Sequence, residues 1–183
     1  MGVLAAYVCA RLRSFRGLFS VVVLVACVSM AIVPSLLIGR LIAVSDDGAE
    51  AARYIDSATT SADTVLVWGS RAEVLVLADR RSATRFVYQY AALATRGYTS
   101  PARVDELVAD LARAKPLLII DASKDSFVTP PLDRTGLASW TSPEPQYVWP
   151  PETSRIVDFV ESNYERVGTL RQSGWPVWRL RSS

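Results

Sequence analysis

Arg80, Arg81 and Arg85 form the densest basic cluster in the body of the chain, beyond its apolar N-terminal region. A guanidinium is a planar fork that matches the oxygens of a phosphate. Three of them so close together could hold the phosphate of a lipid-linked donor or the anionic headgroups of a bilayer. They could equally form a solvated helix end, pairing with Asp79 or offsetting the negative end of a helix dipole. Trp68-Gly69-Ser70 follows an apolar run. If that run is a parallel strand, the tripeptide lies at the carboxyl end, where open α/β sheets take ligands, and the glycine permits close backbone approach. The alternative is a tight turn with Trp68 in the core. Asp121 ends a second apolar run, followed by Ser123, Lys124 and Asp125. Beside Gly69 it would line a polar pocket; it would serve as well as a loop cap.

Other chemistry is excluded by what the chain lacks. It has no histidine, which removes His-based triads, proton relays and zinc sites. Without a histidine as base, a Ser/Asp hydrolase is disfavoured. Both cysteines, Cys9 and Cys27, lie in the apolar N-terminal region, so the rest of the chain holds no disulfide framework or Cys-rich metal centre. Asp46-Asp47 could touch a metal but reads better as a helix cap. Lys115 and Lys124 are the only lysines. With no G-x-G-x-x-G and no P-loop lysine, nucleotide binding is unsupported. No cofactor or metal is expected, and nothing suggests a nucleic-acid groove. The chain also carries 5 Trp and 7 Tyr, which could stack on sugar rings or anchor a membrane interface.

The elements that must position these residues begin with a membrane segment. Residues 17–39 run for 23 residues without a charge, bracketed by Arg16 and Arg40. A helix of that length crosses a hydrocarbon core of roughly 30 Å, and Pro34 is tolerated in such a helix. A signal peptide would have a shorter apolar region and a small-x-small cleavage site. An uncleaved transmembrane helix over residues 17–44 is therefore expected, behind a basic cytoplasmic or interfacial stub over residues 1–16. Arg11, Arg13 and Arg16 on the N-terminal side orient the N-terminus to the cytoplasm. Residues 45–183, which hold all 18 acidic residues, then form an extracytoplasmic domain.

Within that domain, Ala51, Tyr54, Ile55 and Ala58 recur at helical spacing. Residues 64–68 (TVLVW) and 117–121 (LLIID) predict strands, with a short helix over 71–78. A longer helix starts at Pro101 behind Ser100, with Val104, Leu107, Val108 and Leu111 as its buried stripe. This βαβ order implies parallel strands. A further helix opens at Thr153 or Ser154, and residues 167–171 and 176–180 predict an antiparallel hairpin that closes the sheet. Of Trp175 and Trp178, one is expected in the core and one partly exposed. Residues 130–151 hold six of the ten prolines, with Trp140, Tyr147 and Trp149 among them. They predict either a lid or binding loop or an extended strap along a sheet edge. The fold class expected is a small α/β domain with a mixed sheet.

One stretch resembles a known family. Its order is a helix ending in a Thr/Ser-Asp turn, a strand running into Trp68-Gly69, then a helix ending in Arg80-Arg81. Ser82, Arg85-Phe86 and Tyr88 follow, then a strand after Lys115-Pro116 and a C-terminal run from Asn163-Tyr164 to Trp178-Arg179. This resembles the extracytoplasmic C-terminal domain of GT-C membrane glycosyltransferases, the bacterial relatives of dolichyl-phosphate-mannose–protein mannosyltransferases. A last transmembrane helix just ahead of the domain is also that family's layout. The resemblance implies an enzyme that moves a sugar from a polyprenyl-phosphate carrier to an acceptor outside the cytoplasm. It also implies that the catalytic carboxylate belongs to a first extracytoplasmic loop that this sequence does not contain. The chain is thus expected to act as an accessory part alongside missing N-terminal transferase helices, with the lipid bilayer and the donor as partners. Arg80, Arg81, Arg85, Gly69, Trp68 and Asp121 are the candidate substrate contacts, and no residue is assigned a catalytic role. The alternative is a non-enzymatic, single-pass envelope protein whose α/β domain binds a partner.

Overall fold

The computed structural model describes residues 46–98, 100–126 and 128–182. No helix among them is long and apolar enough to cross a membrane. The stub over residues 1–16 and the whole of the expected span over 17–44 lie outside the described residues. All described residues belong to one compact unit, Val44–Ser183.

Five strands form one mixed sheet. In chain order they are β1 (Thr64–Trp68), β2 (Arg81–Ser82), β3 (Leu118–Asp121), β4 (Tyr164–Thr169) and β5 (Pro176–Leu180). The spatial order is β2-β1-β3-β5-β4. β1 is parallel to both β2 and β3, and β5 is antiparallel to β3 and β4. The helices are α1 (Asp46–Ala58), α2 (Glu73–Leu77), α3 (Gln89–Leu93), α4 (Pro101–Ala114), α5 (Arg134–Ser139) and α6 (Ser154–Asn163).

Strand alternation sorts the apolar residues into two cores. Val65, Val67, Leu118 and Ile120 face Ala51 and Ile55 of α1 and Val74 of α2. Leu66, Trp68 and Ile119 face Leu107 and Leu111 of α4 and Ile156 and Val160 of α6. Both faces are covered, which is why β1 and β3 read as continuous apolar runs rather than alternating ones. It also corrects the expectation for the tryptophans. Trp175 and Trp178 belong to opposite cores and both are buried, because helices cover both faces of the central strands, while the β4 edge is exposed.

The predicted parallel pair, long helix and closing hairpin are all present. Three features depart from expectation. β2 is an extra two-residue strand, polar and at the sheet edge, so it carries no apolar signal. β4 starts at Tyr164, not at residue 167, and a register irregularity lies between Arg166 and Gly168. The Pro-rich stretch contains α5, whose N-cap Asp133 accepts the Gly136 N–H at 2.7 Å.

Candidate functional site

With β1 between β2 and β3, the chain leaves β1 toward one neighbour and returns to the other, so the carboxyl ends of β1 and β3 flank a topological switch point, the usual ligand crevice of open α/β sheets. The structure brings together here three residues singled out from sequence. Trp68 and Asp121 are register partners at the ends of β1 and β3. Gly69 follows with φ +120°, and a Cβ on it would lie 3.0 Å from the carbonyl carbon and oxygen of Ala122. Glycine is required because two backbones touch, not because a ligand approaches.

Side chains from the following segments fill the rest of the crevice. Gln89 of α3 is fully buried. Its Oε1 accepts the Gly69 N–H at 3.0 Å, and its amide donates to the carbonyls of Val67 and Phe86, each at 3.0 Å. The Trp68 indole N–H donates to Pro130 O at 2.7 Å, and its ring lies 5.5 Å from that of Trp149. Asp121 is 1% exposed. Its two oxygens accept the N–H groups of Ser123 (3.0 Å) and Leu132 (2.9 Å). Burial pushes its carboxyl above the ordinary range, outweighing those donors. Ser70 and Ser126 share a 2.8 Å hydrogen bond, and Ser126 donates to Thr129 at 2.9 Å. Gln89 ties Gly69 to Val67 and Phe86, and the bonds of Trp68, Asp121, Ser70 and Ser126 hold Ser123, Ser126 and residues 129–132 over the strand ends. Among the described residues, the two serine hydroxyls bond each other and Thr129 rather than a carboxylate or an amine.

Next to the crevice lies a residue that sequence reasoning missed. Arg71 pairs with Asp125 (3.2 Å) and Glu73 (3.3 Å) and lies over the Trp175 ring at 5.5 Å. The Trp175 indole N–H donates to the same Asp125 carboxylate at 3.1 Å. Glu50 of α1 joins from the other side. Its partial burial opposes ionisation, but the N–H groups of Gln172 and Ser173 and the Ser173 hydroxyl outweigh it and hold the carboxyl below its usual value. An arginine two residues after a strand-ending Gly was the only available signal.

The three clustered arginines diverge. Arg80 is 6% exposed as a side chain and is consumed by α1. It donates to Thr59 Oγ1 (2.9 Å), Thr59 O (3.0 Å), Asp56 Oδ1 (3.0 Å) and Ala78 O (2.6 Å). Arg81, on β2, is exposed and reaches Ala62 O at 3.4 Å. Arg85 is exposed, pairs with Glu106 of α4 at 2.6 Å and covers the Phe86 ring at 5.0 Å. Neighbours in sequence, they serve three different contacts.

The Pro-rich segment is both strap and cleft. It is pinned by a bridge between Thr95 and Tyr147 and by the Val148 N–H on Ala94 O at 2.7 Å. Tyr147 stands edge-on to Tyr90, with centroids 5.4 Å apart. Its inner side carries Trp149, whose indole N–H donates to Val128 O at 2.8 Å. Elsewhere it lines a cavity of about 480 Å³ whose walls include Trp140, Tyr147, Trp149, Ser142 and Glu144. Fold and geometry thus define the class: a three-layer α/β domain whose strand ends are filled by its own side chains and which carries an aromatic concavity. The chain matches no protein-family model, no curated protein and no solved structure.

Proposed function

We propose that this chain is the accessory, non-catalytic part of a membrane glycosyltransferase similar to GT-C enzymes, anchored by a transmembrane helix over residues 17–44 with the domain outside the cytoplasm. Its aromatic cleft takes a sugar unit presented from a polyprenyl-phosphate donor or its acceptor, while the transferring carboxylate belongs to a separate set of membrane helices. The observation that carries this reading is the contrast within one domain. The polar groups at the strand ends are spent on structure, and a concavity of about 480 Å³ is walled by Trp140, Tyr147 and Trp149, flat apolar faces of the kind that stack on sugar rings. Arg81 and Arg85 remain exposed and are the arginines available to a lipid phosphate.

The test uses the full chain in nanodiscs. Titration with mannose-, glucose- and galactose-containing oligosaccharides is expected to give a saturable change in tryptophan fluorescence for at least one sugar, lost in Trp140→Ala. In a complete transferase assembled with the missing helices, Arg85→Ala is expected to weaken donor use without unfolding the domain. An upstream reading frame encoding further membrane helices and an acidic first loop supports the accessory role. A ribosome site directly before Met1, with no sugar response, favours the partner-binding envelope protein instead.

A further inference from the structure

Four of the 7 tyrosines gather at one corner of the domain. Residues 94–98 and 146–148 lie side by side there. The Thr95–Tyr147 bridge is flanked by the Arg96 N–H on Gln146 O at 2.9 Å and the Val148 N–H on Ala94 O at 2.7 Å. Tyr147 stands edge-on to Tyr90, and Tyr90 to Tyr88 with centroids 6.3 Å apart. Tyr98 follows on the same ladder, its N–H on Thr95 O at 3.0 Å. Among the described residues, Tyr88, Tyr98 and Val148 are three of the six large apolar side chains left in water, and Tyr98 is 68% exposed. Exposed apolar residues scattered singly are ordinary, but a connected patch marks a contact surface.

Charge on the patch has one sign. Residues 80–98 and 145–151 contain no acid, and Arg96 is exposed and enters no ion pair among the described residues. Tyrosine beside arginine suits the headgroup layer of a bilayer, where the ring finds apolar surroundings and the hydroxyl stays wet. Position favours lipid over a protein partner. Gln89, next to Tyr88, bonds the Gly69 N–H just past β1, so the patch belongs to the carboxyl end of the parallel strands. The chain enters the domain at that same end. Glu50 of α1 accepts from Gln172 and Ser173 in the turn before β5, whose Val177 pairs with Ile120 near the end of β3. Asp46, where α1 starts, follows the proposed span over 17–44 by two residue steps, at most about 7 Å of chain. Asp46 and Asp47 oppose an anionic surface, so apolar contact rather than net charge is what holds the patch down.

We propose that this tyrosine patch rests in the headgroup layer of the bilayer that anchors the chain, with Tyr88, Tyr98 and Val148 inserted and Arg96 at the lipid phosphates. The inference rests on the membrane-anchored reading above. Tyr147 also lines the aromatic cleft, so docking sets that cleft beside the lipid surface, at the level where a polyprenyl-linked sugar is carried.

Tyr98→Trp in the full chain, reconstituted in phosphatidylcholine nanodiscs, places a fluorescent reporter in the patch. Ala112→Trp is the control, exposed in the last turn of α4 and hence at the opposite end of the sheet. An interfacial side chain lies about 5–10 Å deep, where bromines on the upper acyl chain meet it, so brominated lipid should remove at least about half of the fluorescence that Tyr98→Trp adds. It should remove little of what Ala112→Trp adds. Adding Tyr88→Ser and Val148→Ser, both at exposed positions, should cut the quenching of the reporter at 98 at least about twofold, and Arg96→Glu should act in the same direction. Equal quenching of the two reporters, or quenching that all these changes leave as it was, overturns the proposal. Alkaline extraction of the membranes separates the two readings. A chain washed into the soluble fraction removes the anchor and this face with it, whereas a retained chain with an unquenched reporter at 98 refutes this face alone.

Discussion

At the carboxyl ends of β1 and β3, Gln89, Asp121, Ser70 and Ser126 all bond protein partners, while the Nε of Arg71 beside them has none; at the amino end, the fully buried Tyr164 hydroxyl has none either. By topology the first region is where a ligand belongs, yet there Gly69 touches Ala122, Gln89 fills the gap, and Asp121 ties down Ser123 and Leu132. The second region has no topological claim, but it keeps a cavity lined by Lys115 and Arg181, with the Tyr164 hydroxyl sealed in the core behind it. Position within a fold predicts where a site is easy to build. Which side chains from remote segments have filled that position says whether it has stayed open.

The sharpest way to break this contrast is at Gly69. Gly69→Val must place a β-branched side chain at φ +120° against the Ala122 backbone, which should cost at least about 3 kcal/mol. Urea unfolding followed by tryptophan fluorescence reads this directly, since all 5 tryptophans lie in the domain. A loss below about 1 kcal/mol would mean that the crevice is loose enough to admit a ligand after all.

Asp121→Ala follows in size. It leaves two buried N–H groups without acceptors, which should cost about 2–4 kcal/mol. Its titration sharpens the argument. The folded carboxyl ionises above its ordinary value of 3.8, so its contribution to stability falls as pH rises from about 3.8 through the folded value. Glu50 has the opposite sign. Its folded value lies below the ordinary 4.5, so its contribution is present above that pH and fades as pH drops through the folded value. Stability curves of wild type minus Asp121→Asn and wild type minus Glu50→Gln should therefore slope in opposite directions below neutrality. Parallel slopes would show that Asp121 is not the buried structural clamp described here.

The smallest effects separate the arginines. Arg80→Ala removes five hydrogen bonds from a nearly buried side chain and should cost about 2 kcal/mol, although the exposed Asp56 end of its ion pair adds little. Arg85→Ala, at an exposed pair, should change stability by less than about 0.5 kcal/mol. Equal losses would contradict the divergence of the cluster.

Much of the scaffold was readable in the chain. Thr64–Trp68 and Leu118–Asp121 are apolar and β-branched enough to be strands, and Pro101 starts α4 with Val104, Leu107 and Leu111 buried at helical spacing. The C-terminal hairpin follows its turn. What failed to show itself was either too short to have a period, as in β2, or defined by distant partners. Gln89 reads as an ordinary polar residue, and nothing near it in sequence reveals that Gly69, 20 residues earlier, needs its oxygen.

Periodicity, proline placement and residue type are local quantities, and they alone determined the α/β class, the order of the main elements and the absence of histidine-based chemistry. Whether a polar group is free or spent depends on which atoms from remote segments come within about 3 Å of it. Only the tertiary structure could decide that Arg80 belongs to α1, that Asp121 holds its own loop, and that the hydroxyl of Tyr164 is left without a partner.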